Sequence, residues 1–225
     1  MAVVRIEAGP RSAADLRLAS AAFELLGIRL AIDSATIGLV GRREQRDFVH
    51  ARCESYSAGR LRPDGWDVRL EVEVGEGRYR GWIDLLAFHP VARAVLCGEL
   101  KTELDDIGRI QRTLGWYQRE AWAAARRAGW RPRSVSAALL VLSTTESDAR
   151  IRANRDLLRE AFPTRAADLA KWIRTPSGDG LPSALAMIDP RSRRIDWLRP
   201  TESDGRRSPA PYADYRAAAI ALKGR

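Results

Sequence analysis

Lysine is nearly missing from this chain: Lys101, Lys171 and Lys223 are the only three among 38 lysines and arginines. Histidine is scarcer still. His50 and His89 stand alone, in no pattern that suggests a catalytic triad or a zinc site; His50 reads as a helix-face residue and His89 as a loop residue. The two cysteines, Cys53 and Cys97, lie far apart without metal-ligand spacing, so both are expected reduced and structural, in the cytoplasm. No apolar run approaches the about 20 residues that span a bilayer, and Asp15 and Arg17 come too early for a signal peptide. No membrane partner is expected. There is no internal repeat or low-complexity tract, and Gly75-Glu76-Gly77 and Gly178-Asp179-Gly180 read as turns rather than phosphate cradles.

What the chain does have is cationic charge. A formal net charge of +9 and an isoelectric point near 10.3 over 225 residues fit a polyanionic partner. Arginine and alanine are abundant together, however, which also follows from GC-rich coding.

The periodicity divides the chain into segments. Leu16, Ala19, Phe23 and Leu26 recur at helical spacing and Gly27 is placed to end that helix. Residues 34–42 read as a linker. A helix is expected from about Arg43 to Arg60, with Phe48, Arg52, Ser55 and Tyr56 along one stripe. Strands follow at 66–74, where Val68, Leu70, Val72 and Val74 share a face, and then at 79–88 and 94–101. The last two are nearly continuous apolar runs, the pattern of strands covered on both faces. A helix at 107–128, with Ile110, Leu114, Tyr117, Ala121 and Ala125 inward, leads to a strand at 134–143. The fold class is α/β with element order αβββαβ, a mixed sheet flanked by helices. Residues 145–225 read as an α/β extension, with strand candidates at 184–188 and 195–198, and 191–207 is a basic, exposed-looking stretch.

One stretch carries chemistry. Residues two apart on a strand share a face, so Glu99 and Lys101 point the same way and Leu100 the other. If strands 79–88 and 94–101 form a hairpin centred between Val91 and Ala92, Asp84 lies opposite Glu99. Facing carboxylates repel. In a half-buried sheet that cost calls for a cation between them, supplied in part by Lys101, with the rest from a divalent ion such as Mg²⁺ (or Mn²⁺), which hard carboxylate oxygens suit.

Two resemblances follow. Arg5-Ile6-Glu7 with Gly9, then Asp15-Leu16 and Leu26-Gly27, resemble the last part of a Cro/XRE-type helix-turn-helix domain. Such a domain needs two further helices ahead of its recognition helix, so residues 1–33 form only a partial segment and sequence-specific DNA binding is not expected of it. Gly81-Trp82-Ile83-Asp84 and Glu99-Leu100-Lys101, in the order αβββαβ, resemble the PD-(D/E)xK (restriction-endonuclease-like) nuclease superfamily over about residues 43–144. Ile83 stands where that family often has proline.

This second resemblance implies metal-dependent hydrolysis of DNA phosphodiesters, with DNA as partner and a homodimer left open. It implies that Asp84, Glu99 and the Leu100 carbonyl hold the metal, and that Lys101 orients or deprotonates the attacking water. It also suggests Glu44 as a further ligand from the first helix and Gln111 as a glutamine near the site. The plainer alternatives are an Asp84–Lys101–Glu99 ion-pair cluster without metal, a helix-surface Glu44 and a solvated Gln111. Glu103, Asp105 and Asp106 are expected to favour a helix N-terminus. A rival function from another class is a helix-turn-helix regulator whose nuclease-like domain is a non-catalytic sensor or dimerisation module.

Overall fold

Alternating and continuous apolar runs assemble into one six-stranded sheet with helices on both faces. The computed structural model describes residues 36–76, 79–205 and 209–223, with side chains from Phe48 onward. The partial helix-turn-helix segment and the Glu44 side chain lie outside the described residues. By its contacts the chain divides into Met1–Arg43 and Glu44–Arg225, and the second unit holds the whole sheet.

The elements in order are α1 (Thr36–Leu61), β1 (Asp67–Val74), β2 (Gly81–His89), β3 (Ala94–Lys101), α2 (Ile107–Arg127) and β4 (Ser134–Leu142). Then come α3 (Thr145–Ala153), α4 (Arg155–Ala161), α5 (Ala166–Arg174), β5 (Ala184–Ile188), β6 (Leu198–Arg199) and α6 (Tyr215–Lys223). The order αβββαβ through β4 is the expected one. α1 begins earlier than expected, so residues 36–42 are helical rather than an extended linker. The buried side of α1 is also rotated: Val49, Cys53, Ser57, Ala58 and Leu61 are buried while Arg52 and Ser55 are exposed. An i, i+4 row of small and apolar residues lies closer to the sheet than a row carrying arginine can.

Strands follow chain order across the sheet, β1 to β6. β1–β2 and β2–β3 are antiparallel, β3–β4 and β4–β5 parallel, and β5–β6 antiparallel. On one face α1, α5 and α6 cover Leu85, Ala87, Leu96, Leu100, Leu140 and Ala186. On the other, α2, α3 and α4 cover Leu86, Phe88, Val95, Leu139, Val141 and Met187. Residues 145–225 therefore share the core of residues 44–144, and all five residues of β5 are buried. Of the two short strand candidates, 184–188 forms β5 and pairs with β4, whereas 195–198 gives only the two-residue β6, Leu198–Arg199, paired with Ile188 and Met187.

β1 departs from expectation. Val68 and Leu70 pack on the α1 face, whereas Val72 and Val74 pack on the α2 face. Glu71 has a positive φ of 49° and pairs with nothing in a ladder that is otherwise continuous in register, leaving Asp84 unpaired opposite it. β2 changes face at the same point, since Leu85 joins the α1 layer and Ile83 the α2 layer. Side-chain alternation breaks where the ladder breaks, and the break falls on Asp84.

Gly81 opens β2 because nothing larger fits. A Cβ there would lie 2.6 Å from the Trp116 ring and 2.8–2.9 Å from Tyr117. Gly81→Ala is expected to destabilise the fold by about 1–3 kcal/mol through overpacking. Thermal melts check this, and an unchanged Tm would show that α2 can lift away at no cost.

Candidate active site

Asp84, Glu99 and Lys101 converge where β2 and β3 part. The β2–β3 register is the expected one, His89↔Ala94 to Leu85↔Gly98, but pairing stops one step before Asp84 and Glu99. Beyond it the Asp84 carboxylate takes the place of a ladder acceptor: Leu100 N–H donates to Asp84 Oδ2 at 2.6 Å. The strands are held together there by a side chain instead of a carbonyl. That accounts for an aspartate inside so apolar a strand, because the break in β1 leaves its position free of the ladder.

Glu99 is buried, 4% exposed, and its Oε1 accepts from Lys101 Nζ at 2.5 Å. Its Oε2 is buried with no hydrogen-bond partner among the described residues. Burial pushes the Glu99 carboxyl well above its usual range and the Asp84 carboxylate adds to the rise, with Lys101 and His50 opposing. The Lys101 side chain is about one-third exposed. It stands beside a pocket of about 180 Å³ lined by His50, Leu100, Lys101, Thr102, Glu103 and Asp105. A buried acid with one empty oxygen, a cation at its other oxygen and an adjoining pocket make a site able to take a further cation.

α1 brings two residues to this site that sequence reasoning did not place there. His50 Nε2 lies 3.5 Å from Asp84 Oδ1 and 3.4 Å from Glu54 Oε1. Glu54 is buried and its Oε1 accepts no hydrogen bond. Ligand atoms of His50, Glu54 and Asp84 all lie within 4.8 Å of one another, a carboxylate–histidine cluster of the kind that holds a metal ion. The signal for it was the spacing: His50 and Glu54 are four apart, hence on one side of a helix, and Glu54 directly follows the inward Cys53.

Among the described residues no hydrogen bond or ion pair joins Gln111 to these groups. Gln111 is exposed on α2. Asp106 caps α2 by accepting from Arg109 N–H at 2.8 Å, and Asp105 faces Arg150 at 3.5 Å. Asp106 fits the reading of that acidic run as helix-terminal, whereas Asp105 pairs with α3 instead. Two aromatic residues nearby on α2 and after it serve the core. Tyr117 is buried, and Trp130 stacks on Phe88 with ring centroids 5.4 Å apart while its Nε1–H donates to Asp67. Cys53 and Cys97 are free and buried, as expected, and burial pushes the Cys53 thiol up to about 12.

The Asp84 carboxylate beside it, then that of Glu54, raises His50 from 6.5 to about 10 against the opposing effect of burial. A group whose folded value is raised stabilises the fold fully below its unfolded value and loses that contribution as pH rises through the folded one. In EDTA the chain is therefore expected to lose Tm between pH 6.5 and about 10, and the loss is smaller in His50→Gln. Melts across that range check it; parallel pH profiles for the two proteins would remove the His50 ion pairs from the account.

Comparison of the chain with protein-family models, with curated proteins and with solved structures finds no match. No described helix is long and apolar enough to cross a membrane.

Proposed function

We propose that this chain hydrolyses phosphodiester bonds in DNA with a bound Mg²⁺ or Mn²⁺, in the manner of the PD-(D/E)xK nucleases that its motifs resemble. The observation that supports it is the break between β2 and β3. There Asp84 leaves the ladder to accept from Leu100 N–H, its charge helps raise the Glu99 carboxyl, and Glu99 keeps one buried oxygen without a partner.

The residues fit a divalent ion. Asp84 and Glu99 supply hard oxygens, with the Leu100 carbonyl next to Glu99 in sequence, and the empty Glu99 Oε2 is an acceptor that a protein donor does not use. His50 and Glu54 widen the donor set, and an imidazole among carboxylates suits Mn²⁺ better than Mg²⁺. Bound there, the ion supplies Lewis acidity toward a phosphoryl oxygen and acidifies a water. Lys101, held on Glu99 at the pocket, places a positive charge where phosphate charge develops and orients the water that attacks. Leu100 N–H holds Asp84 in one orientation. Glu99, raised by burial and by Asp84, is an acid that a cation would drive to its ionised form.

A second reading has its own support. Lys101 pairs with Glu99, and His50 bridges Asp84 and Glu54, so the charges partly neutralise one another without metal. On that reading the domain is a sensor or dimerisation module of a DNA-binding regulator. Purified protein with plasmid DNA and Mg²⁺ or Mn²⁺, beside Lys101→Ala, separates the two. Cleavage lost in the variant favours the nuclease. The same activity in both proteins, or none in either on duplex, nicked and single-stranded DNA, would end that reading.

A further inference from the structure

We infer that the loop between β5 and β6, residues 189–197, is a grip for the DNA phosphate backbone beside the proposed cleavage site. The inference rests on the nuclease reading and names the surface that holds its substrate.

The sheet sets the distance. β3, β4 and β5 run parallel, so they end at one edge, and Lys101, Val141, Met187 and Arg199 form one row of paired residues across it. Three strand spacings separate Lys101 from Arg199, about 14 Å. At about 3.4 Å of rise per nucleotide along one strand, that is about four nucleotides. A backbone with its reacting phosphate at Asp84 and Glu99 that follows this edge therefore reaches Arg199, two residues beyond the loop, about four nucleotides from the cut.

The loop carries charge with no partner of its own. Arg191, Arg193 and Arg194 are exposed, and among the described residues none pairs with a carboxylate. The acids close to them in sequence are engaged: Asp196 with Arg174 at 3.1 Å, and Asp189 with the Tyr212 hydroxyl at 2.7 Å. Ile195 stands 83% exposed among the arginines, an apolar tip of the sort that contacts sugars or base edges in a groove. An exposed isoleucine that follows exposed arginines in one short loop is a poor solvent surface and a good nucleic-acid one.

The loop is also held in place. Arg60 of α1 donates to the Ile195 carbonyl at 3.1 Å, and Tyr56 of α1 packs edge-on against Trp197 with ring centroids 5.9 Å apart. Trp197 is buried, so the arginines are raised on a fixed base. The same helix carries His50 and Glu54 to the site, so grip and site share one rigid support. A surface fixed before binding loses little freedom on contact.

The test is anisotropy of a labelled DNA duplex of about 30 base pairs, in EDTA, across about 50 to 200 mM salt. It compares wild type, Arg193→Ala/Arg194→Ala, and Arg131→Ala/Arg133→Ala, whose exposed arginines precede β4 at the far edge of the sheet. The loop variant is expected to bind about tenfold more weakly, with a salt slope shallower by about 2, because each lost phosphate contact removes about 0.9. The far-edge variant should match wild type. Equal losses in both variants, no loss in the loop variant, or no binding by wild type overturns the grip. Its failure is distinct from that of the nuclease reading, which shows as intact DNA in Mn²⁺ whatever the binding result.

Discussion

Asp84→Asn is expected to lower Mn²⁺-dependent cleavage of plasmid DNA by at least about 100-fold, which is about 2.7 kcal/mol of transition-state stabilisation. The substitution is nearly isosteric, and its carbonyl oxygen can still accept from Leu100 N–H, so the join between β2 and β3 survives. What goes is the negative charge. Without it an ion bound as proposed would lose a ligand, while His50 loses a counter-charge at 3.5 Å and Glu99 loses the neighbour that helps raise its carboxyl. Loss of activity alone would not separate chemistry from folding, so the thermal shift on adding Mn²⁺ is measured beside it. Wild type should gain Tm with metal, by mass action on the native state. Asp84→Asn should gain much less while keeping a cooperative melt. Full cleavage by the variant, or an equal metal-induced shift in both proteins, would remove Asp84 from the site.

The second large effect concerns stability. Truncation after Thr144 would keep every motif the sequence offered, yet the shortened chain is expected not to fold. It loses β5, whose five residues are buried beside β4. From the α2 face it loses Ile151, Leu158 and Phe162; from the α1 face, Leu169, Trp172, Ile173 and Leu222. At about 1.5–3 kcal/mol for each large side chain, these seven come to about 10–20 kcal/mol, as much as the about 5–15 kcal/mol that holds an ordinary domain together. Trp66, ahead of β1, packs on Trp172 with ring centroids 5.3 Å apart and donates to the Ile173 carbonyl at 2.9 Å. The cut therefore also strips a buried indole N–H of its acceptor. Circular dichroism melts of the two lengths decide the matter. A truncated chain with a cooperative transition near the wild-type Tm would mean that residues 145–225 only decorate a self-sufficient core.

The site was legible in part. Glu99 and Lys101 could be placed on one face because strand alternation needs no tertiary information, and the hairpin register followed from where the apolar runs stop. His50 and Glu54 were not placed. Helical spacing puts them together on α1, but which side of α1 meets the sheet depends on close packing, and small residues at 53, 57 and 58 decided it. The face switch at Glu71 and Asp84 was equally out of reach. Alternation assumes an unbroken ladder, and nothing local to WDVRLEVEV marks the positive φ at Glu71.

Sequence alone determined the α/β class, the order αβββαβ, the inward stripe of α2 and the β2–β3 register. All of these rest on local periodicity and turn chemistry, which act over a few residues. Tertiary structure alone decided that residues 145–225 complete the sheet and that Asp84 enters the gap between two strands. It also decided that α1 delivers a histidine and a second glutamate to that gap. Such choices depend on which distant surfaces close on one another, and that is settled by packing across the chain rather than by any short segment of it.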